Sequence, residues 1–154
     1  MAWNPILKTA RAKLDARLSA FKPIDRLQPP PKGWIRALRN SLGLSSAQLG
    51  KILGVRSQSI DDMEKSEANG AIRLETLRRV AQAMDCTLVY ALVPNTSLNE
   101  IVEARARTLA ISALASVAHT MALEDQATTD DNLDMQIDEY IDRYITERHL
   151  WSDA

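Results

Sequence analysis

Two short helical patterns that meet at one glycine constrain this chain more than anything else in its sequence. Ser45-Ser46-Ala47-Gln48 fits a capping box, in which a hydroxyl at the helix start and a Gln three residues on satisfy each other's backbone donors. The helix that follows carries Leu49, Ile52 and Leu53 as its inward positions. Gly54 stops it, because a tight turn needs a left-handed backbone that glycine adopts at little cost. A second helix over about residues 57–65 buries Ile60 and Met63. Leu49, Leu53, Val55, Ile60 and Met63 lock the angle between the two, and one face of residues 56–65 stays free.

That order of helix, glycine turn and helix, spanning roughly residues 44–66, is the helix-turn-helix geometry. Its second helix enters the major groove of duplex DNA while the first braces it against the backbone. The flanking sequence supplies a frame for it. Trp34-Ile35-Arg36-Ala37-Leu38-Arg39 begins a helix that stops at Gly43, and Leu74, Leu77, Val80, Ala81 and Met84 define another. Residues 87–93, Thr-Leu-Val-Tyr-Ala-Leu-Val, read as the one strand, ended by Pro94. A lone strand leaves its backbone groups unpaired, so pairing with its copy in a homodimer is the simplest expectation. Leu88, Val89, Tyr90, Ala91 and Leu92 would form that contact.

Upstream, Ile6, Leu7, Ala10, Leu14, Leu18 and Phe21 recur at helical spacing, and Pro29-Pro30-Pro31 makes a stiff connector. Downstream, Ser97-Leu98-Asn99-Glu100 is a second capping box, opening a long helix to about Leu123. Asp130 and Asp131 open a last helix with Leu133, Ile137, Tyr140, Ile141 and Tyr144 on one face. The expected fold is therefore mainly α. Residues 1–32 form an N-terminal helical arm and connector, residues 33–94 a helical DNA-binding domain with one short β-strand, and residues 95–154 an acidic helical region for partner binding.

Charge runs along the chain in a gradient. Residues 1–60 hold 11 Lys and Arg against two acids, Asp15 and Asp25, whereas residues 95–154 hold 4 against 12. The basic front half can neutralise DNA phosphates and release counterions. The acidic tail is either a solvated helix face or a docking surface for a basic partner. The arm can touch phosphate through Lys8, Arg11 and Arg17, or pack on the C-terminal helices through Ile6, Leu14 and Leu18; its apolar face favours packing.

Several function classes fall away. No run approaches the ~20 apolar residues of a membrane span, and early Lys8, Arg11 and Lys13 do not read as a secretory signal. A cytoplasmic location is expected. Cys86 is the single cysteine and reads as a packing residue. His119 and His149 lack neighbouring ligands, so neither a metal nor a cofactor is expected. No nucleophile has a base beside it, and no phosphate-binding glycine loop is present, so the chain is not expected to be an enzyme.

From Leu44 to Glu64 the pattern L-S-x-x-x-L-x-x-x-L-G-V-x-x-x-x-I-x-x-x-E resembles the phage-repressor class of helix-turn-helix proteins, over about residues 34–93. The resemblance implies a five-helix helix-turn-helix domain, with a twofold dimer on a palindromic operator in double-stranded DNA. It places Ser57, Gln58 and Asp62 at base-reading positions, with Ser59 beside them. Gln58 can bind adenine in a bidentate fashion, and Ser57 and Ser59 can reach base edges or phosphate. Arg36, Lys51 and Arg56 are phosphate candidates. Ser46 stands where the class usually carries a phosphate-binding Gln. Asp61 and Asp62 bring negative charge where bases or phosphates would lie, and Asp62 either accepts from cytosine N4 or faces solvent.

A closer resemblance reaches both ends of the chain. Gly33-Trp34-Ile35-Arg36, then residues 88–94 (Leu-Val-Tyr-Ala-Leu-Val-Pro), then residues 119–126 (His-Thr-Met-Ala-Leu-Glu-Asp-Gln) look like the family called mobile mystery protein A. It implies a homodimeric repressor that also acts as antitoxin to a Fic-domain toxin, controlling its own operon and blocking AMP transfer. Fic enzymes are commonly blocked by a helix carrying [ST]-x-x-x-E-[GN], whose Glu pairs with the arginine meant for the ATP γ-phosphate. Thr120, Glu124 and Asp125 match this except at the last position. The competing readings are a stand-alone transcription factor whose C-terminal helices dimerise or sense a ligand, and an adaptor that has lost DNA binding.

Overall fold

The computed structural model describes residues 3–121 and 130–152. They form two compact units, one of residues 21–92 and one that joins residues 1–20 to residues 93–154. Seven α-helices are described, numbered in chain order.

The first helix, α1 (Pro5–Leu18), starts in the second of these units. Asn4 caps it by accepting from the Ile6 N–H at 2.9 Å, and Pro5 occupies the first helical position, where its missing donor costs nothing.

The unit of residues 21–92 opens with a short 3-10 turn, Ile24–Leu27, and contains α2 (Trp34–Ser41), α3 (Ser46–Leu53), α4 (Ser57–Ala68) and α5 (Leu74–Ala83). Ile35, Leu49, Ile60, Val80 and Met84, drawn from α2 through the end of α5, form its buried centre. Leu38, Leu44, Leu53, Val55, Met63 and Cys86 pack around them. Fully burying Leu49 or Ile60 contributes about 1.5–3 kcal/mol each.

The expected inward face of α3 needs one correction. Leu49 is fully buried and Leu53 half-buried, but Ile52 is 57% exposed. Leu49 and Leu53 lie four residues apart and take the inward stripe, and Gly50 completes it. Gly50 is buried because the chain returning after the turn passes directly over it. A Cβ there would sit 2.7 Å from the Val55 carbonyl oxygen.

A second correction concerns residues 87–93. No strand forms among the described residues, and no backbone–backbone hydrogen bond involves this segment. A strand is defined by its neighbour, and the single chain offers none. Val89, Tyr90 and Leu92 stand 68%, 65% and 89% exposed.

In the other unit, α1 is joined by α6 (Leu98–Met121) and α7 (Asp130–Tyr144). Ala106 and Ala110 on α6 bring the backbones close. Ile137 and Ile141 of α7, together with Leu150, fill the contact. The capping box at Ser97 forms as expected, with Ser97 Oγ accepting from the Glu100 N–H at 3.1 Å. Arg105 donates to the Leu150 carbonyl at 2.9 Å and lies over the Trp151 ring, which closes the tail against α6.

The N-terminal arm is held to this unit mainly through polar groups. The Asp15 carboxylate accepts from the Leu98 N–H at 3.0 Å, and Arg11 donates to Asn99 at 2.7 Å and pairs with Glu147. The apolar positions read as its packing face lie largely outside: Ile6 is 75% exposed, and Leu7 and Leu14 are also exposed. No helix of the described residues is long and apolar enough to cross a membrane. Among the same residues, no cluster of His, Cys, Asp and Glu could hold a metal ion.

Candidate nucleic-acid interface

The local chemistry of the motif follows the sequence closely. Ser45 Oγ accepts from the Gln48 N–H at 3.1 Å, and Gln48 Oε1 accepts from the Ser45 N–H at 2.8 Å, so the capping box that starts α3 is complete. Gly54 ends α3 with φ 72°, the left-handed value the turn requires. Val55 then folds back, its N–H reaching the Gly50 carbonyl at 2.8 Å. These contacts fix α4 against α3, with Ile60 buried beneath it.

An internal ion pair ties α4 to α2. The Arg39 guanidinium forms a fork on the Glu64 carboxylate, with its Nη2 at 3.2 Å from Oε2. Its other branch donates to the Leu44 carbonyl at 2.9 Å, between α2 and α3. Both side chains are about nine-tenths buried. The hydrogen bond to Glu64 raises the Arg39 pKa; burial works against it, and the charges of Glu64 and Asp61 add to the rise. Arg39 is therefore a fixed cation inside the motif. The sequence pattern marked Glu64 as a motif position but gave no sign of its partner, which lies 25 residues away.

The outward face of α4 begins with Ser57 and Gln58, both exposed, while Ser59 is half-buried. Arg56, Lys51 and Arg36 are exposed as well. The two acids that stood against DNA contact have distinct partners. Ser46 donates its hydroxyl to Asp61 Oδ1 at 2.7 Å, which joins the start of α3 to the middle of α4. Gln58 Nε2 donates to Asp62 Oδ1 at 3.1 Å, one helical turn along α4. Ser46 is thus half-buried and engaged within the motif.

A groove of about 380 Å³ runs along this face, lined by Lys32, Arg36, Gln58, Asp61, Glu64, Lys65 and Ala68. It brings Arg36 beside Gln58. It also gathers two cations that sequence reasoning missed, Lys32 from the connector and Lys65 from the last part of α4. The signal for Lys65 was present, since it stands seven residues after Gln58 on the same helical stripe. Lys32 carried no such signal, because only the path of the chain into α2 places it there. Lys51, Arg56 and Ser57 do not line this groove.

The fold also redistributes the charge. Residues 21–92 hold 11 Lys and Arg against 7 Asp and Glu, a net of +4, while the remaining unit holds 8 against 13, a net of −5. The four cations of α1 counted toward a basic front half, yet they belong to the acidic unit.

Thr120, Glu124 and Asp125 fall beyond the side chains described: Glu124 and Asp125 lie outside the described residues, and of Thr120 only its place in α6 is described.

No curated protein and no solved structure matches the chain. Residues 35–90 match the family described as helix-turn-helix, which covers α2 to α5 and most of the segment after them, so the chain carries a phage-repressor-type helix-turn-helix domain, the module of DNA-binding regulators.

Proposed function

We propose that the chain is a sequence-specific transcriptional repressor that binds a palindromic operator as a homodimer. The observation that carries this reading is the groove along α4. Gln58 is exposed there among Lys32, Arg36 and Lys65, and its two acids, Asp61 and Glu64, are already engaged by Ser46 and Arg39. Cations left unpaired beside a base-reading amide suit a duplex, whose phosphates position the protein while base edges specify the site. Ser57, Ser59, Lys51, Arg56 and Asp62 complete the proposed contact set around the start of α4.

Residues 88–92 supply the proposed dimer contact. Their exposed Val89, Tyr90 and Leu92 and unpaired backbone suit antiparallel pairing with a second copy. The twofold axis this creates matches an operator with two half-sites.

A finer reading rests on the resemblance of three sequence segments: the protein also serves as the antitoxin of a Fic-type toxin and represses its own operon. Glu124, in the Thr120-x-x-x-Glu124-Asp125 pattern, would occupy the arginine that holds the ATP γ-phosphate. Binding to duplexes from its own promoter region tests the repressor. Co-purification with the adjacent gene's product, and AMP transfer measured with wild type and Glu124→Gly, test the antitoxin. Transfer that stays fully suppressed by Glu124→Gly removes that role and leaves a stand-alone regulator.

A further inference from the structure

We infer that Asp62 is the positioning residue that makes α4 read adenine through Gln58. The inference rests on the DNA-binding reading above and extends it to one base. Two exposed side chains one helical turn apart carry it: the Gln58 amide nitrogen donates to Asp62 Oδ1 at 3.1 Å.

A carboxylate at neutral pH only accepts hydrogen bonds. It therefore meets the N–H side of the Gln58 amide and repels the carbonyl side, so the amide has one orientation. The nitrogen carries two hydrogens, and Asp62 takes one. The second hydrogen and Oε1 remain on the free edge of the amide, a donor beside an acceptor. Adenine offers the complement in the major groove, N7 as acceptor and the N6 amino group as donor. Guanine offers two acceptors there, O6 and N7. To meet it, Gln58 would have to turn its carbonyl away from the base and toward Asp62.

The neighbouring acid does not share this task. Asp61 accepts from Ser46 and holds α3 to α4. Of these two adjacent acids, one is therefore a brace between helices and the other orients a base-reading group.

The test uses the full chain and a randomised duplex library. The sequence most enriched by wild type is measured for Kd against a version in which the A·T pair read by Gln58 becomes G·C. Measurements are made at low salt, where phosphate contacts keep every variant bound. Asp62→Ala is expected to lower the preference for adenine by about 2–10-fold, from the freed amide and the lost carboxylate. Asp62→Asn is expected to lower it as well, since its amide can also donate to Gln58 Oε1 and leaves both orientations open. On a Gln58→Ala background, Asp62→Ala is expected to change nothing further.

An Asp62→Ala variant with unchanged preference overturns the inference. So does full retention of preference in Asp62→Asn, since an amide that also donates cannot hold Gln58 in one orientation. An Asp62→Ala effect that persists without Gln58 also overturns it, by making Asp62 a direct reader of bases. Failure of the DNA-binding reading is separate and visible in wild type alone, as a library from which nothing is enriched.

Discussion

Removing Glu64 should unfold the DNA-binding unit far more readily than its one carboxylate suggests. In Glu64→Ala, Arg39 keeps its charge, because a guanidinium stays protonated in proteins even when it loses its partner. The guanidinium, 11% exposed, is left with the Leu44 carbonyl as partner. Breaking a buried pair in this way costs about 3–5 kcal/mol, most of it the desolvation of the stranded charge. For a domain of this size each kcal/mol shifts Tm by about 4–8 °C, so the loss is on the order of 12 °C or more. Arg39→Met/Glu64→Leu removes both charges and is expected to recover to within about 2 kcal/mol of wild type. Urea unfolding of the full chain followed by amide hydrogen exchange separates the two units, and the loss should fall on amides of residues 21–92. The pair should also show no pH-dependent loss on the Arg39 side. A group with a raised pKa gives its full contribution at lower pH and loses it only as pH rises through that value. A loss under about 1 kcal/mol in Glu64→Ala would refute the reasoning, because it is what an exposed ion pair gives.

Three further outcomes follow from other contacts. Gly50→Ala places a Cβ 2.7 Å from the Val55 carbonyl; the clash costs about 1–3 kcal/mol against at most ~1 kcal/mol of helix propensity, so thermal melting should show a lower Tm. Lys32→Gln and Lys65→Gln should each weaken binding to all duplexes alike and, with one lost contact per subunit of the proposed dimer, reduce the slope of log K against log salt by about 1.8, read by fluorescence anisotropy. Tyr90→Lys/Leu92→Lys should shift the protein toward monomer in sedimentation and weaken operator binding; an unchanged dimer would remove residues 88–92 as the contact.

The parts of this fold that were legible in the sequence are those set by short spacing. The capping boxes at Ser45 and Ser97, the left-handed Gly54 and the buried Leu49 and Ile60 all rest on residues within a turn or two of one another. Local chemistry decides them, and they formed as expected. Ile52 was misplaced because apolar character alone does not say how wide a helix's buried face is. Gly50 narrowed that face, and its role depends on the returning backbone at Val55 rather than on its neighbours in sequence.

Distant partners were not legible. Nothing in the spacing shows that Arg39 reaches Glu64, or that Ser46 engages Asp61. Lys32 joins the α4 groove only through the path of the connector. The arm was legible in part: α1 groups with the C-terminal helices, as its apolar face suggested, but Asp15 and Arg11 make polar contacts there and Ile6 and Leu14 stay exposed. The two acids after Ile60 looked like obstacles to DNA, but Asp61 accepts from Ser46 and Asp62 from Gln58, partners that lie 15 and 4 residues away.

The most direct test of the account is equilibrium binding of the full chain to its best library-selected duplex between 50 and 200 mM salt, a range across which phosphate contacts are strongly screened. The account predicts a linear fall of log K with log salt. A dimer that places roughly 6–10 cations on phosphates should lose ~10³–10⁵ in affinity over that range. Binding that ignores salt, or no selected duplex at all, would contradict it.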